Sequence, residues 1–197
     1  MARKSENEPT GYTIIEDTKE QRPLDFSAFA PYGVRVERAN LRTGDYTIKG
    51  FKRQVVIERK SLQDCVSTLT HGRERFTREI YDRAAFATLK VLVVEASWAD
   101  LSRPYPFAPG ANPESIVNSL FALMLPPTNV HVFCSPSRAL IAWYIVKACA
   151  MFIHRATNGS AGMWRAIFAP DAADLAPFAN VGVRASLHHP PASEVMS

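Results

Sequence analysis

Residues 55–64 read VVIERKSLQD, in which an apolar strand runs directly into a polar, helix-capping segment. The β-branched run at its start is typical of a buried strand. Successive side chains of a strand alternate between its faces, so Glu58 and Lys60 are predicted to point to the same side. Hydrophilic side chains at the end of an apolar strand are costly to bury unless they meet a metal, a ligand or each other. The ends of strands are also where open α/β sheets place their sites.

A further acid precedes this strand in the segment Gly44-Asp45-Tyr46, thirteen residues before Glu58. Asp45 could join Glu58 and Lys60 across a strand pair. Mg²⁺ takes oxygen ligands and is usually held by one or two carboxylates together with waters and substrate phosphate oxygens. Asp45 and Glu58 are therefore predicted to hold Mg²⁺ or Mn²⁺. The alternative is that Asp45 is a turn residue, because aspartate favours turns by hydrogen bonding to its own backbone.

The pattern G-D-Y followed by apolar-E-R-K-S-x-x-D resembles the nuclease domain of the XPF-type endonucleases (xeroderma pigmentosum group F and its archaeal and Mus-type relatives). Upstream, residues 14–20 (IIEDTKE) resemble the opening strand and D-T-R-E segment of this family, with Lys19 in place of the arginine. Downstream, residues 71–76 (HGRERF) and 91–95 (VLVVE) resemble its D-G-R region and its next buried strand. The resemblance covers about residues 12 to 155. It implies an α/β, restriction-endonuclease-like fold with a central mixed sheet flanked by helices.

The resemblance also implies roles for residues of the E-R-K motif. Asp45 and Glu58 would bind the metal, with the backbone carbonyl of Arg59 as a third ligand. Lys60 would position the attacking water or stabilise charge in the transition state. Asp64 has two open interpretations: it belongs to the metal site, as the family motif suggests, or it is only the third residue of a capping box that begins at Ser61.

Other charged residues are candidates for contacts around the site. The Arg59 side chain could pair with a carboxylate or contact phosphate. Lys19 and Arg73 are candidates for contacts to the DNA backbone, which position a duplex without reading its sequence. Asp17 and Glu20 could line the same cleft, although acids just past a strand are also ordinary solvated loop residues.

Together these features predict a metal-dependent endonuclease that hydrolyses phosphodiester bonds in branched or flapped DNA during repair or recombination. The expected partner is DNA at single-strand/duplex junctions, with a second copy of the chain or a partner nuclease subunit as a further candidate. The alternative is a non-catalytic DNA-binding or scaffold subunit, since the family includes partners whose active sites have decayed. The acids favour the enzyme, because they would repel DNA phosphates unless a cation intervened.

Composition is compatible with this function. Lys and Arg number 23 against 19 Asp and Glu, so the net charge of +4 permits a polyanionic partner. Three widely spaced cysteines, Cys65, Cys134 and Cys149, are predicted to be buried free thiols in a reducing compartment. No signal peptide is visible, and the apolar run 139–153 falls short of the roughly 20 residues of a membrane span. We expect no membrane partner and a location in the cytoplasm with the nucleoid for a bacterial or phage protein, or in the nucleus for a eukaryotic one.

The predicted organisation is a flexible segment at 1–11, a nuclease domain at 12–156 and a partly disordered tail at 157–197 without a clear tandem helix-hairpin-helix module. Strands are predicted at 12–16, 34–38, 47–48, 54–59, 91–95 and 130–133. Helices are predicted at 24–29, from Ser61 to Thr70, at 73–86, from Pro113 to before Pro126, and from Ser135-Pro136 to about 154. The proline-rich stretch 98–113 is predicted to lack regular structure.

Overall fold

The computed structural model describes residues 11–78, 80 and 87–156, which alternate between strands and helices. The strands are β1 (Tyr12–Asp17), β2 (Val34–Ala39), β3 (Tyr46–Ile48), β4 (Val55–Ser61), β5 (Leu89–Glu95) and β6 (His131–Cys134). The helices are α1 (Leu62–Thr70), α2 (Arg73–Arg78), α3 (Trp98–Leu101), α4 (Pro113–Met124) and α5 (Arg138–Ala156), with a short 3₁₀ helix at Ser27–Tyr32. The predicted tail at 157–197 and residues 1–10 of the predicted flexible segment lie outside the described residues.

The strands form one mixed sheet in the order β2-β1-β3-β4-β5-β6. Strand β3 runs antiparallel to both of its neighbours, and the β1–β2, β4–β5 and β5–β6 pairs are parallel. This confirms the predicted α/β fold with a central mixed sheet. Because β3 alone is reversed, its amino end lies at the same edge as the carboxyl ends of the other strands. Segments that are distant in the sequence therefore meet at that edge.

Helices cover both faces of the sheet. Side chains such as Ile57 and Val93 pack with α5 and the 3₁₀ helix in one apolar cluster. Leu92 and Val94 face the other way and pack with α1, α3 and α4 in a second cluster. All three cysteines are free, and Cys65 and Cys149 are buried as predicted, whereas Cys134 is half-buried. Burial raises the pKa of the Cys65 thiol to about 12.

Helix α5 is long and apolar enough, by length and composition alone, to cross a membrane. A core helix of a soluble protein passes the same test. Here α5 lies against the sheet and contributes seven buried residues to the first cluster.

Local hydrogen bonds explain where the helices begin. Ser61 caps α1 as predicted, since its hydroxyl accepts a hydrogen bond from the Asp64 amide at 3.1 Å. The predicted cap of α5 at Ser135 is wrong: Ser137 accepts from the Leu140 amide at 3.2 Å, and Ser135 instead accepts from the Ser137 amide. Two serines separated by one residue both fit a cap signal, so the local sequence does not choose between them.

Two other predictions of local structure need correction. The stretch from residue 98 is not wholly irregular, because Ser97 and Asp100 form a reciprocal capping box that starts the short helix α3. The early helix is a 3₁₀ turn at Ser27–Tyr32 rather than a helix at 24–29. Helix α2 spans Arg73–Arg78, and most of the remainder of the predicted helix, at 79 and 81–86, lies outside the described residues.

Candidate active site

Three chain segments converge at the edge where most strands end. The end of β1 brings Asp17, the turn before β3 brings Asp45, and the end of β4 brings Glu58 and Lys60. In the antiparallel β3–β4 pair, Tyr46 lies opposite Ile57. That register places Asp45 across from Glu58, so the sequence prediction that the two acids approach across a strand pair is confirmed.

The backbone around Asp45 holds its carboxylate toward β4. The Asp45 amide donates to the Ile57 carbonyl at 2.8 Å, and Oδ2 of Asp45 accepts from the Arg59 amide at 2.7 Å. The carboxylate thus takes the place of a backbone carbonyl in the ladder. Gly44 permits this approach, because its φ is +78° and a Cβ there would lie 2.9 Å from the Ile57 carbonyl oxygen. Asp45 is therefore more than a turn residue.

The two facing carboxylates repel each other. Burial, followed by the charge of Glu58, raises the pKa of Asp45 to about 7, and the hydrogen bond from the Arg59 amide opposes the shift only in part. Burial disfavours the charged form of a carboxyl group, and a neighbouring negative charge adds to the same shift; a bound cation would offset both effects. This pair of acids is electrostatically prepared for a cation.

Lys60 lies beside the acids on the face that the alternation of the strand predicts. Its Nζ donates to Oε1 of Glu58 at 3.0 Å, and the Lys60 side chain is only 14 % exposed. The same ammonium group sits 5.1 Å from the centre of the Phe76 ring, within the range of a cation–π contact. Phe76, on α2, thereby limits where the ammonium group of Lys60 can go.

Asp45, Glu58 and Phe76 line a cleft of about 290 Å³. Its walls carry three acids (Asp17, Asp45 and Glu58) and three bases (Lys19, Arg42 and Lys90) above an apolar floor that includes Val56, Phe76 and Leu92. Sequence reasoning missed Arg42 and Lys90. Arg42 could have been found from its place three residues before Asp45, whereas Lys90 reaches the cleft only because it pairs with Val56 in the β4–β5 register.

Arg59 lies on the other face of β4. Its guanidinium donates to both oxygens of Glu20, at 2.9 and 2.8 Å, and lies 3.1 Å from Oε1 of Glu95. The Arg59 side chain is only 9 % exposed. Two contacts of the Arg59 side chain were predicted, with a carboxylate or with DNA phosphate. The structure shows the contact with carboxylates, and the guanidinium that pairs with Glu20 and Glu95 is not placed to contact DNA. Burial alone would raise the pKa of Glu20, but its hydrogen bonds and pairing with Arg59 lower it.

Asp17 and Glu20 are both buried, so the reading of these acids as solvated loop residues is wrong. Asp17 lines the cleft, and its Oδ1 accepts from the Leu41 amide at 3.1 Å, which anchors the turn that leads to Asp45. Glu20 is not among the residues that line the cleft; it accepts hydrogen bonds from the Arg59 guanidinium on the opposite face of the sheet.

Asp64 and Arg73 are not among the described residues that line the cleft. Asp64 is exposed and accepts from the Ser61 hydroxyl at 2.6 Å, so its contacts here are those of a helix start. Arg73 is exposed at the first position of α2. Their predicted roles in metal and DNA binding stay predictions.

The donor set decides which metal would suit the cleft. Among residues 11–78, 80 and 87–156, no group of three or more His, Cys, Asp or Glu side chains is placed to hold a metal ion. A structural zinc site needs four such protein ligands. Two facing carboxylates suit Mg²⁺ or Mn²⁺, which complete their coordination with waters and phosphate oxygens. Asp45 and Glu58 therefore fit the predicted cofactor, and the carbonyl of Arg59 stays a predicted ligand.

Comparisons with known proteins gave two kinds of match. Residues 16–148 match the family model of the ERCC4 domain. Among solved structures, XPF from Aeropyrum pernix is similar with a TM-score of 0.56 and 20% identity, over 74% of this chain and 67% of that chain. XPF from Aeropyrum pernix in complex with DNA is similar with a TM-score of 0.55 and 19% identity, over 78% and 70% of the two chains. A comparison with curated protein sequences gave no match. At this identity the structural likeness shows a shared fold.

Proposed function

Since this chain belongs to the ERCC4 domain family, we propose that it hydrolyses phosphodiester bonds in DNA with Mg²⁺ or Mn²⁺. The observation that carries the proposal is the pair of opposed carboxylates, Asp45 and Glu58, which line one cleft. The Lys60 ammonium group lies 3.0 Å from Glu58. A DNA complex of a protein with the same fold supports DNA as the partner.

Each side chain has a distinct part in this chemistry. A bound divalent cation polarises a phosphate and lowers the pKa of an attacking water. Asp45, in the turn before β3, and Glu58, in β4, would hold the cation between them. Lys60 is a compact cation with three donors, and its place beside Glu58 lets it stabilise the negative charge that develops on the phosphate. The Phe76 ring keeps the Lys60 ammonium group in this place.

The basic side chains of the cleft mark a path for the DNA backbone. Lys19, Arg42 and Lys90 line the cleft that contains the acids. Lysine and arginine contacts to phosphates position nucleic acid without reading its sequence. The same proposal includes a preference for branched or flapped DNA and a role in repair or recombination. It also includes pairing with a second nuclease subunit and a location in the compartment that holds DNA.

A cleavage assay tests the proposal directly. The purified protein is incubated with end-labelled flap, fork, four-way-junction and plain duplex DNA in Mg²⁺, Mn²⁺ or EDTA. We expect cutting that requires the metal and that is faster on the branched substrates than on the duplex. DNA that is bound but never cut in either metal would contradict the proposal and would identify a scaffold subunit instead.

The contact between Lys60 and Phe76 gives a more local prediction. Replacing Phe76 by leucine keeps an apolar side chain but removes the ring under the ammonium group. A cation–π contact contributes roughly 0.5–2 kcal/mol, so single-turnover cleavage at saturating DNA and metal should slow about 2- to 30-fold. Leu69→Val is the control, because Leu69 is buried in the same cluster as Phe76 but has no ring that could make a cation–π contact with Lys60. If both variants lose stability but cleave at the wild-type rate, Phe76 is only a core residue.

A further inference from the structure

The face of the sheet opposite Asp45 and Glu58 carries four charged side chains in a chain of contacts. Arg59 lies at its centre, between Glu20 and Glu95. The side chains of all three are at most 10% exposed, at 9%, 4% and 10%. Buried charges of this kind are stable only when each one keeps its partners. The position of Arg59 therefore depends on how both acids are held.

Arg138, the first residue of α5, is the fourth charged side chain of this network. Its Nη1 contacts Oε1 of Glu95, and its Nη2 donates to the carbonyls of Arg22 and Pro23, both at 2.7 Å. One guanidinium thus joins the start of α5, the end of β5 and the loop that carries Glu20. Arginine is suited to this, because its planar fork can reach several acceptors at once.

The backbone of Arg59 connects these charged side chains to the candidate active site. The Arg59 amide donates to Oδ2 of Asp45 at 2.7 Å, while the Arg59 side chain is held from the other face. Glu58 and Lys60 flank Arg59 in the same strand. A shift of the Arg59 side chain would move its backbone, and with it the amide that holds Asp45.

We propose that Arg138 is a positioning residue for the cation site. Arg138 fixes Glu95, Glu95 and Glu20 fix the Arg59 guanidinium, and the Arg59 amide then holds the Asp45 carboxylate opposite Glu58. This inference rests on the proposed function for the cation site and for its effect on cleavage. The arrangement of the amide and the carboxylate can be measured without DNA.

Replacing Arg138 by methionine in the full chain tests the proposal. The deciding measurement is the amide proton shift of Arg59 in the metal-free protein, which should move upfield as the hydrogen bond to the Asp45 carboxylate weakens. Partners that orient metal ligands typically contribute 10- to 100-fold to metal affinity, so Mn²⁺ binding followed by electron paramagnetic resonance should weaken about 10-fold. Arg138→Lys should recover part of both effects, since lysine can pair with Glu95 but cannot reach two carbonyls as well.

Controls separate this role from a general loss of stability. Lys49→Met removes a cation that pairs with Glu37 on an exposed surface, and should leave both measurements unchanged. Glu95→Gln keeps the shape of the acid but removes its charge, and should move both measurements in the same direction as Arg138→Met even if that variant folds poorly. An unchanged Arg59 amide in both Arg138→Met and Glu95→Gln would overturn the proposal. A shifted amide in a protein that never cuts DNA would instead sustain the positioning role and contradict the proposed function.

Discussion

Replacing Glu58 by glutamine is expected to lower the rate of DNA cleavage by about two to three orders of magnitude, the typical effect of removing one well-placed electrostatic contact from an active site. Glutamine preserves the shape and one oxygen acceptor but removes the charge that holds the cation. It also leaves Lys60, which donates to Glu58 at 3.0 Å, without its acid partner. Single-turnover cleavage at saturating DNA, measured over a range of Mg²⁺ and Mn²⁺ concentrations, checks this result.

The same variant should bind DNA as tightly as the wild type or more tightly. Glu58 lines the cleft with Asp45, and removing one negative charge there reduces the repulsion of phosphate. Binding is measured in EDTA at fixed salt, because affinity for DNA depends strongly on salt. Glu37→Gln is the matched control, since Glu37 is exposed and pairs with Lys49 away from the cleft. If Glu58→Gln lost binding and cleavage together, Glu58 would be needed for folding of the cleft rather than for catalysis.

Much of the sheet could be predicted because its strands carry local signals. The β-branched run before Glu58 and the apolar run at 91–95 mark buried strands, and both lie where the sequence predicts them. The cap of α1 at Ser61 is equally local, since donor and acceptor are three residues apart. Boundaries where several local signals compete were less predictable. Ser137, rather than Ser135, caps α5, and the Ser97–Asp100 box starts a helix in a stretch that its prolines marked as irregular.

Some residues of the candidate site could likewise be predicted from local sequence patterns, and others could not. Strand alternation places Glu58 and Lys60 on one face from the sequence alone, and the G-D-Y segment indicates Asp45. The sequence leaves open which of its possible partners Arg59 takes, because Glu95 and Arg138 lie 36 and 79 positions further along the chain. Lys90 enters the cleft through the β4–β5 register, which no local pattern encodes. Pairings of this kind are decided by the packing of the whole sheet.

Removing the charge of Asp45 should have opposite effects on stability and on activity. It should stabilise the metal-free protein at high pH and abolish DNA cleavage. The pKa of Asp45 is raised from 3.8 to about 7. In the metal-free protein, Asp45 therefore stays protonated to a higher pH in the folded state than in the unfolded state. The stability that this proton confers is present below about pH 4 and is lost as the pH rises through about 7. Asp45→Asn should therefore stabilise the metal-free protein at pH 8 and leave its stability nearly unchanged at low pH, where Asp45 is already neutral.

A tenfold change in an acid constant corresponds to about 1.4 kcal/mol, so the gain for Asp45→Asn at pH 8 should be about 1–3 kcal/mol. In a protein of this size that raises the melting temperature by about 3–10 °C. The asparagine oxygen can still accept the hydrogen bond from the Arg59 amide, which keeps the local structure while removing the charge. The same variant should lose cleavage, and added Mn²⁺ should raise the melting temperature of the wild type only.

Thermal unfolding at about pH 4 and at pH 8, with and without Mn²⁺, measures these effects in one series. Asp25→Asn is the control of opposite sign, because hydrogen bonds from Ser27 lower the pKa of Asp25 and its charged form favours the folded state. That variant should gain no stability at pH 8. An Asp45→Asn protein that is less stable than the wild type at pH 8 would show that the negative charge of Asp45 is already balanced without a cation. Asp45 would then be a structural acid, and the cation site would have lost one of its two carboxylates.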